Sequence, residues 1–200
     1  MLKHVFILVV CLGLVMVAGC ATSVKRVDTG EVIDLSGRWN DTDSRLVSEE
    51  MIADVLDRPW RDKHMNNHEG ALPVVIVGTI RNRSHEHINV RTFVKDLERA
   101  LINSGEVEFV ASGSERGELR EERLDQAVHA SEETARSEGE EIGANFMLKG
   151  TINSILDKIE GKAVMFYQVN LELIEIETHR KVWIGEKKIK KFVKRHRFKF

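Results

Sequence analysis

The end of the chain holds three long runs in strand register with very little between them: "NFMLKGTINSILDKI" from Asn145, "AVMFYQVNLELIEIET" from Ala163 and "KVWIGEKKIKKFV" from Lys181. In the middle run Val169, Leu171, Leu173, Ile174 and Ile176 approach a period of two, with Glu172, Glu175 and Glu177 mostly opposite. That spacing predicts strands with one buried face. Thr178, His179 and Arg180 read as a hairpin turn, so the final two strands should pair antiparallel. A sheet with one apolar face needs a second layer, and the earlier residues supply it.

In "DLSGRWNDTDSRLVSEEMIADVL", Asp43 or Ser44 can cap a helix whose Leu46, Val47, Met51, Ile52, Val55 and Leu56 share a face. Glu49 and Glu50 in its early turns suit the helix dipole. Residues 57–71 are polar, contain Pro59 and Gly70, and read as a loop. Leu72 to Ile80, "LPVVIVGTI", is a continuous β-branched run of the kind found in a central strand. From Asn89 a second amphipathic helix carries Val90, Phe93, Val94, Leu97, Leu101 and Ile102, and Asn103-Ser104-Gly105 ends it. "VEFVA" gives a short strand. Residues 114–143 hold ten acids against four arginines and predict two charged helices broken near Ala130-Ser131. The order of elements predicts a single α/β domain, a mixed sheet flanked by helices, over residues 35–200.

The other end is of a different kind. Lys3 and His4 precede about fifteen apolar or small residues from Val5 to Gly19, short of the ~20 that a spanning helix needs, and this is the pattern of a secretory signal over residues 1–19. Its last four residues, Val17-Ala18-Gly19-Cys20, resemble the bacterial lipobox. The resemblance implies cleavage before Cys20, a diacylglyceryl group on its sulfur and acylation of the new amino terminus. Two or three acyl chains hold a protein stably on a bilayer where one holds it marginally. Ala21 stands where an aspartate would favour inner-membrane retention, so the resemblance implies an outer-membrane lipoprotein facing the periplasm. Residues 20–34 read as a lipidated tether that spans roughly 50 Å at full extension.

Cys11 leaves with the signal and Cys20 is committed to lipid, so no disulfide, thiol nucleophile or cysteine metal site is expected in the mature chain. The net charge of −2 conceals an asymmetry: Lys187 to Phe200 carries eight Lys or Arg and no acid, leaving about −11 on residues 20–186. The basic segment reads either as an edge strand whose lysines block edge-to-edge pairing or as a contact for anionic lipid or peptidoglycan. An exported lipoprotein does not meet nucleic acid.

No site chemistry is legible. Gly78 is isolated and lacks the spacing of a phosphate loop. Ser112 and Ser114 in "ASGSERG" lack the order of a nucleophile elbow. His64 and His68 in "HMNNH" have helical spacing but Met65 where a zincin has Glu, and they read as surface histidines. No cofactor, metal site or enzymatic activity is expected.

Taken in order, the lipobox, "DLSGRWNDTDSRLVSEEMI", "PVVIVGTIRNRSHEHI", "NSGEVEFVAS" and "GANFMLKGTINSI" resemble the LpoB family of penicillin-binding protein activators, from about Asp34 to Val193. The resemblance implies a helix-flanked sheet similar to the amino-terminal domain of TolB. It also implies an outer-membrane lipoprotein that binds a bifunctional peptidoglycan synthase and stimulates its glycosyltransferase and transpeptidase activities. The alternative is a structural or secretion-linked envelope component without synthase contact. One departure is that the best-known branch carries a long disordered stretch where this chain has its short tether. Two segments are candidates for partner binding. Arg38, Trp39 and Asp41 of "RWND" mix a rigid aromatic, a guanidinium and an acid, as interface hot spots do, although Trp39 packing under the first helix with Asp41 or Asp43 capping it explains them equally. Arg81, Arg83, His85 and His87 of "RNRSHEH" read as a loop leaving the central strand, either a binding loop or an ordinary solvated one.

Overall fold

The computed structural model describes residues 22–194 apart from 132 and 135–139. Cys20, the signal and residues 195–200 lie outside the described residues. Met1–Val32 and Ile33–Phe200 form separate compact units. In the first, the Gly30 amide donates to Asp28 Oδ1. The second contains every helix and strand among the described residues.

Its first helix, α1 (Asp41–Leu56), begins one turn earlier than the apolar pattern suggests. The cap is Asn40, neither Asp43 nor Ser44. Asn40 Oδ1 accepts from the Asp43 amide at 3.1 Å while Asp43 Oδ2 accepts from the Asn40 amide at 3.0 Å, a reciprocal capping box. Val47, Met51, Ile52 and Val55 form the buried face. The next segment is no loop: α2 (Trp60–Asn67) buries Trp60 and His64, one turn apart, and exposes most of the rest. Trp60 Nε1 donates to Val55 O at 2.7 Å and its ring meets Phe146 edge-on at 5.0 Å.

β1 (Val74–Arg83) runs three residues beyond the apolar run. α3 (Val90–Ser104) follows, capped by Asn89 and ended by Gly105 at φ 67°, the left-handed turn that glycine adopts without cost. Phe93, Leu97 and Leu101 are its buried stripe, each contributing about 2 kcal/mol by leaving water. Then come β2 (Glu108–Phe109), α4 (Gly113–His129), β3 (Phe146–Ile159), β4 (Lys162–Glu175) and β5 (Lys181–Lys194). Of the two expected charged helices the first is α4, none of whose residues is buried, and the second falls on a stretch that includes 132 and 135–139, which lie outside the described residues.

The strands form one mixed sheet in the order β2-β1-β3-β4-β5. β1 is parallel to β2 and β3, and β3, β4 and β5 are antiparallel, as the hairpin turn at Thr178 to Arg180 predicts. Inward residues of β4, Met165, Tyr167, Val169, Leu171 and Leu173, meet Val47, Met51, Phe93 and Leu97 in the core. On the other face of β3, β4 and β5 no residue is buried. This exposed face carries the cross-strand rows Ile155–Phe166–Lys190 and Asp157–Val164–Phe192. The chain is thus a single mixed α/β domain, as expected.

Candidate partner-binding surface

The two candidate segments meet at a residue that belongs to neither list of candidates. Glu86 Oε2 accepts from the Trp39 amide at 3.0 Å, and Glu86 Oε1 accepts from the Tyr167 hydroxyl at 2.9 Å. The Trp39 ring stands edge-on to Tyr167, centroids 5.4 Å apart, and its Nε1 donates to Ser44 Oγ at 2.8 Å. Burial and the facing Glu86 carboxylate push the Tyr167 hydroxyl well above the usual phenol range, so it remains a donor. Trp39 therefore joins the start of α1 to β4 and to the turn after β1. Trp39 packs against Tyr167, and the cap of α1 beside it is Asn40, neither Asp41 nor Asp43.

A second tie fastens the same segment to the edge strand. Lys191 Nζ on β5 donates to Asp34 Oδ1 at 2.7 Å, Asp43 Oδ2 at 2.7 Å and Arg38 O at 3.2 Å. The paired carboxylates hold the Lys191 ammonium above its ordinary pKa despite burial, and the Lys191 hydrogen bond holds Asp34 below the usual carboxylate value. Gly37 lies between these anchors at φ 72°, and a Cβ there would overlap Val193 Cγ2. Glycine is required on both counts.

These ties shape an open cleft of about 510 Å³ where Arg38, His85, Glu86 and His87 face Ile159 and Lys162 of the β3–β4 hairpin. His85 is held by Ser154 Oγ, which its amide reaches at 3.0 Å and its Nδ1 at 3.1 Å. Four of the seven candidates, Arg38, Trp39, His85 and His87, thus come together. Arg81 and Arg83 do not join them. They lie on β1, in register with Thr151 and Asn153, and so are strand residues and not loop residues. Arg81 lines a shallow groove of about 180 Å³ with Lys149, Thr151, Asn170 and Glu172. Asp41 is exposed in the first turn of α1.

A further cleft of about 540 Å³ lies beside α2, lined by His64, His68, Glu175 and Arg180 among others. His64 is a core residue, 6% exposed, correcting its reading as a surface group. Its ring stacks on His68 at 4.0 Å and meets Phe146 at 5.3 Å. Burial, reinforced by His68, lowers its pKa. Among the described residues no group of three or more His, Cys, Asp or Glu could hold a metal ion, and no helix is long and apolar enough to cross a membrane.

Glu86, Tyr167 and Lys191 escaped sequence reasoning. Tyr167 is the single tyrosine, placed on the inward face of β4 by the alternation; Lys191 shares the inward phase of β5 with Trp183. An inward lysine in a strand of that phase is the one signal that could have found the clamp.

The domain is a mixed sheet with helices on one face, an open second face and a cleft at one end that carries Arg38, Lys158 and Lys162. The family model "Peptidoglycan-synthase activator LpoB" matches residues 43–189, and the chain belongs to the LpoB family. Among solved structures the chain is similar to the LpoB C-terminal domain from Escherichia coli, with 14% identity, covering 74% of this chain and 98% of that one, TM-score 0.42. The LpoB C-terminal domain from Salmonella enterica matches with 16% identity over 66% of this chain and 93% of that one, TM-score 0.35. A lipoprotein from Neisseria meningitidis matches with 10% identity over 60% and 83%, TM-score 0.39. No curated protein matches.

Proposed function

We propose that the chain is an outer-membrane lipoprotein, anchored through Cys20 and facing the periplasm, that binds and activates a bifunctional penicillin-binding protein. The observation that carries this reading is the family match across residues 43–189. It acts by binding, without catalysis of its own. The docking surface is assigned to the exposed side chains on two sides of the Glu86 junction: Arg81 and Arg83 on β1, and Arg38, His85 and His87 at the cleft. Trp39 supports that surface from within. Arginine at the centre of a polar rim is a common anchor of protein interfaces.

The test is a pull-down from detergent-solubilised envelope with residues 21–200 as bait, then glycan polymerisation by any captured synthase with and without the bait. Capture with faster polymerisation is expected. Capture without acceleration makes the protein a scaffold, and no capture by folded bait overturns the reading in favour of an envelope-assembly role. Self-association separates the two further: an activator stays monomeric or weakly dimeric, while an assembly component forms large oligomers.

A further inference from the structure

The tip of the β3–β4 hairpin breaks the rule that its own strands obey. Inward positions of β3 are buried, or half-buried at Gly150, as far as Ser154, yet from Ile155 to Ile159 every residue is exposed, including Ile155 at 63%, Leu156 at 40% and Ile159 at 78%. Phe192, on the neighbouring end of β5, is 65% exposed. Around these apolar side chains stand Arg38, Lys158, Lys162, Lys190 and Lys194, all exposed, against the acids Asp157 and Glu160. Apolar side chains that project from a cationic surface fit an anionic lipid surface: the first enter the headgroup boundary and the second meet phosphate.

The position of the tip names the occupant. The segment from Asp34 to Arg38 is fixed to β5 by Lys191 and Val193, and Ser36 and Arg38 line the same cleft as Ile159 and Lys162. The chain therefore joins the domain beside the tip. A flexible tether of about fourteen residues has an average span on the order of 20 Å. A folded domain of this size has a radius of gyration of about 15 Å. An anchor at Cys20 thus keeps the tip within reach of the bilayer, and a weak contact suffices because tethering makes it intramolecular.

We infer that the β3–β4 hairpin tip, with Ile155, Ile159 and Phe192 as its apolar contacts and Lys158, Lys162 and Lys194 as its cations, is a peripheral binding site for an anionic bilayer surface. The inference rests on the lipoprotein reading for the proximity of the membrane, while the contact itself is testable without the anchor. It leaves Arg81 and Arg83, further back along β1, as the part of the proposed docking surface open to a protein partner while the tip, which shares its cleft with Arg38, His85 and His87, lies on the bilayer.

The experiment is co-flotation of acyl-free mature chain, residues 20–200 with Cys20→Ser, on vesicles of phosphatidylcholine with and without phosphatidylglycerol. The folded unit from Ile33 onward does not include the anchor. Binding to the anionic vesicles alone is expected. It should fall about fivefold for each of Lys158→Ala, Lys162→Ala and Lys194→Ala. It should be lost in Ile159→Asp combined with Phe192→Asp, both exposed sites where the fold has little at stake. Leu124→Asp on α4, a 58% exposed control, should bind as the parent does. No flotation of the parent, or equal loss in the control, overturns the inference. So does a tip variant that loses capture of the synthase with vesicle binding intact, which assigns the tip to a protein partner. The lipid on Cys20 is read separately from the mass of the exported protein's amino terminus, so a missing anchor and a missing tip contact are distinguished.

Discussion

Lys191 Nζ lies 2.7 Å from Asp43 Oδ2, with 13% and 4% of the two side chains exposed. One belongs to the last strand and the other to the first helix, so the pair closes the domain across nearly its whole length. Removing the cation leaves a carboxylate out of water with, among the described residues, only the Asn40 amide as a partner. Lys191→Ala should therefore cost about 3 kcal/mol in urea denaturation. Asp43→Asn, which keeps the shape and removes the charge, should cost less.

The same clamp has a defined pH window. Asp34 has a lowered pKa in the fold, so its contribution is present above its unfolded value and is lost as pH falls through the folded one. Lys191 has a raised pKa, so its contribution is present below its unfolded value and is lost as pH rises through the folded one. The clamp should hold between roughly pH 4 and pH 10. Unfolding midpoints across that range, compared with those of Lys191→Ala, should differ by a constant amount inside the window and converge outside it.

His64 adds a second dependence at milder acidity. Its folded-state pKa is lowered, so full stability is present above the unfolded value of about 6.5 and declines as pH drops below it. His64→Phe fills the same site beside Phe146 without titrating. The loss of stability between pH 6.5 and pH 5 should be smaller in the variant, as read by denaturation at the two pH values.

Glu86 accepts from both the Trp39 amide and the Tyr167 hydroxyl, and hydrogen bonds to a charged acceptor are worth about 1.5–3 kcal/mol each. Glu86→Ala should cost about 2 kcal/mol and alter near-ultraviolet dichroism from Trp39. In a double-mutant cycle with Tyr167→Phe the two losses should fall short of additivity by about 1 kcal/mol.

Gly185 lies under the Trp183 ring on the inward face of β5. A Cβ there would overlap that ring and come within 3.0 Å of Met51 Cε on α1. Gly185→Ala should lower stability by about 1–3 kcal/mol, the usual cost of overfilling a packed site. Differential scanning calorimetry gives the shift.

Arg81→Glu and Arg83→Glu change exposed strand positions and should leave stability within about 0.5 kcal/mol. On the proposed reading they should weaken synthase capture by tenfold or more, measured as a dissociation constant with purified partner. Undiminished affinity in both would move docking away from the β1 face.

Periodicity located β3, β4, β5, α1 and α3, because each buries a continuous stripe that repeats at its own period. It failed at α2, where eight residues bury only Trp60 and His64, too few to register a period among polar neighbours. It misplaced the α1 cap at Asp43 or Ser44, when Asp43 is the third residue of a capping box that Asn40 begins. Arg81 and Arg83 were mistaken for loop residues because β1 continues after its apolar run ends, held by backbone pairing with Thr151 to Asn153. The junction at Glu86 could not be read at all, since its partners lie 47 and 81 residues away and no local pattern records such a meeting.

The attachment of residues 34–38 to β5 has a consequence for the order in which the domain can close as it is made. Residues 34–38 have nothing to fasten to until the chain has emerged as far as Lys191 and Val193. Synthesis from the amino terminus delivers this segment early and its docking strand late. Until then the helices can collect around β1 and β3, but the start of α1 stays loose at its capping end. The domain seats its leading segment only once its trailing strand is in place, so an interrupted chain lacking β5 should be open at that end and accessible to proteases.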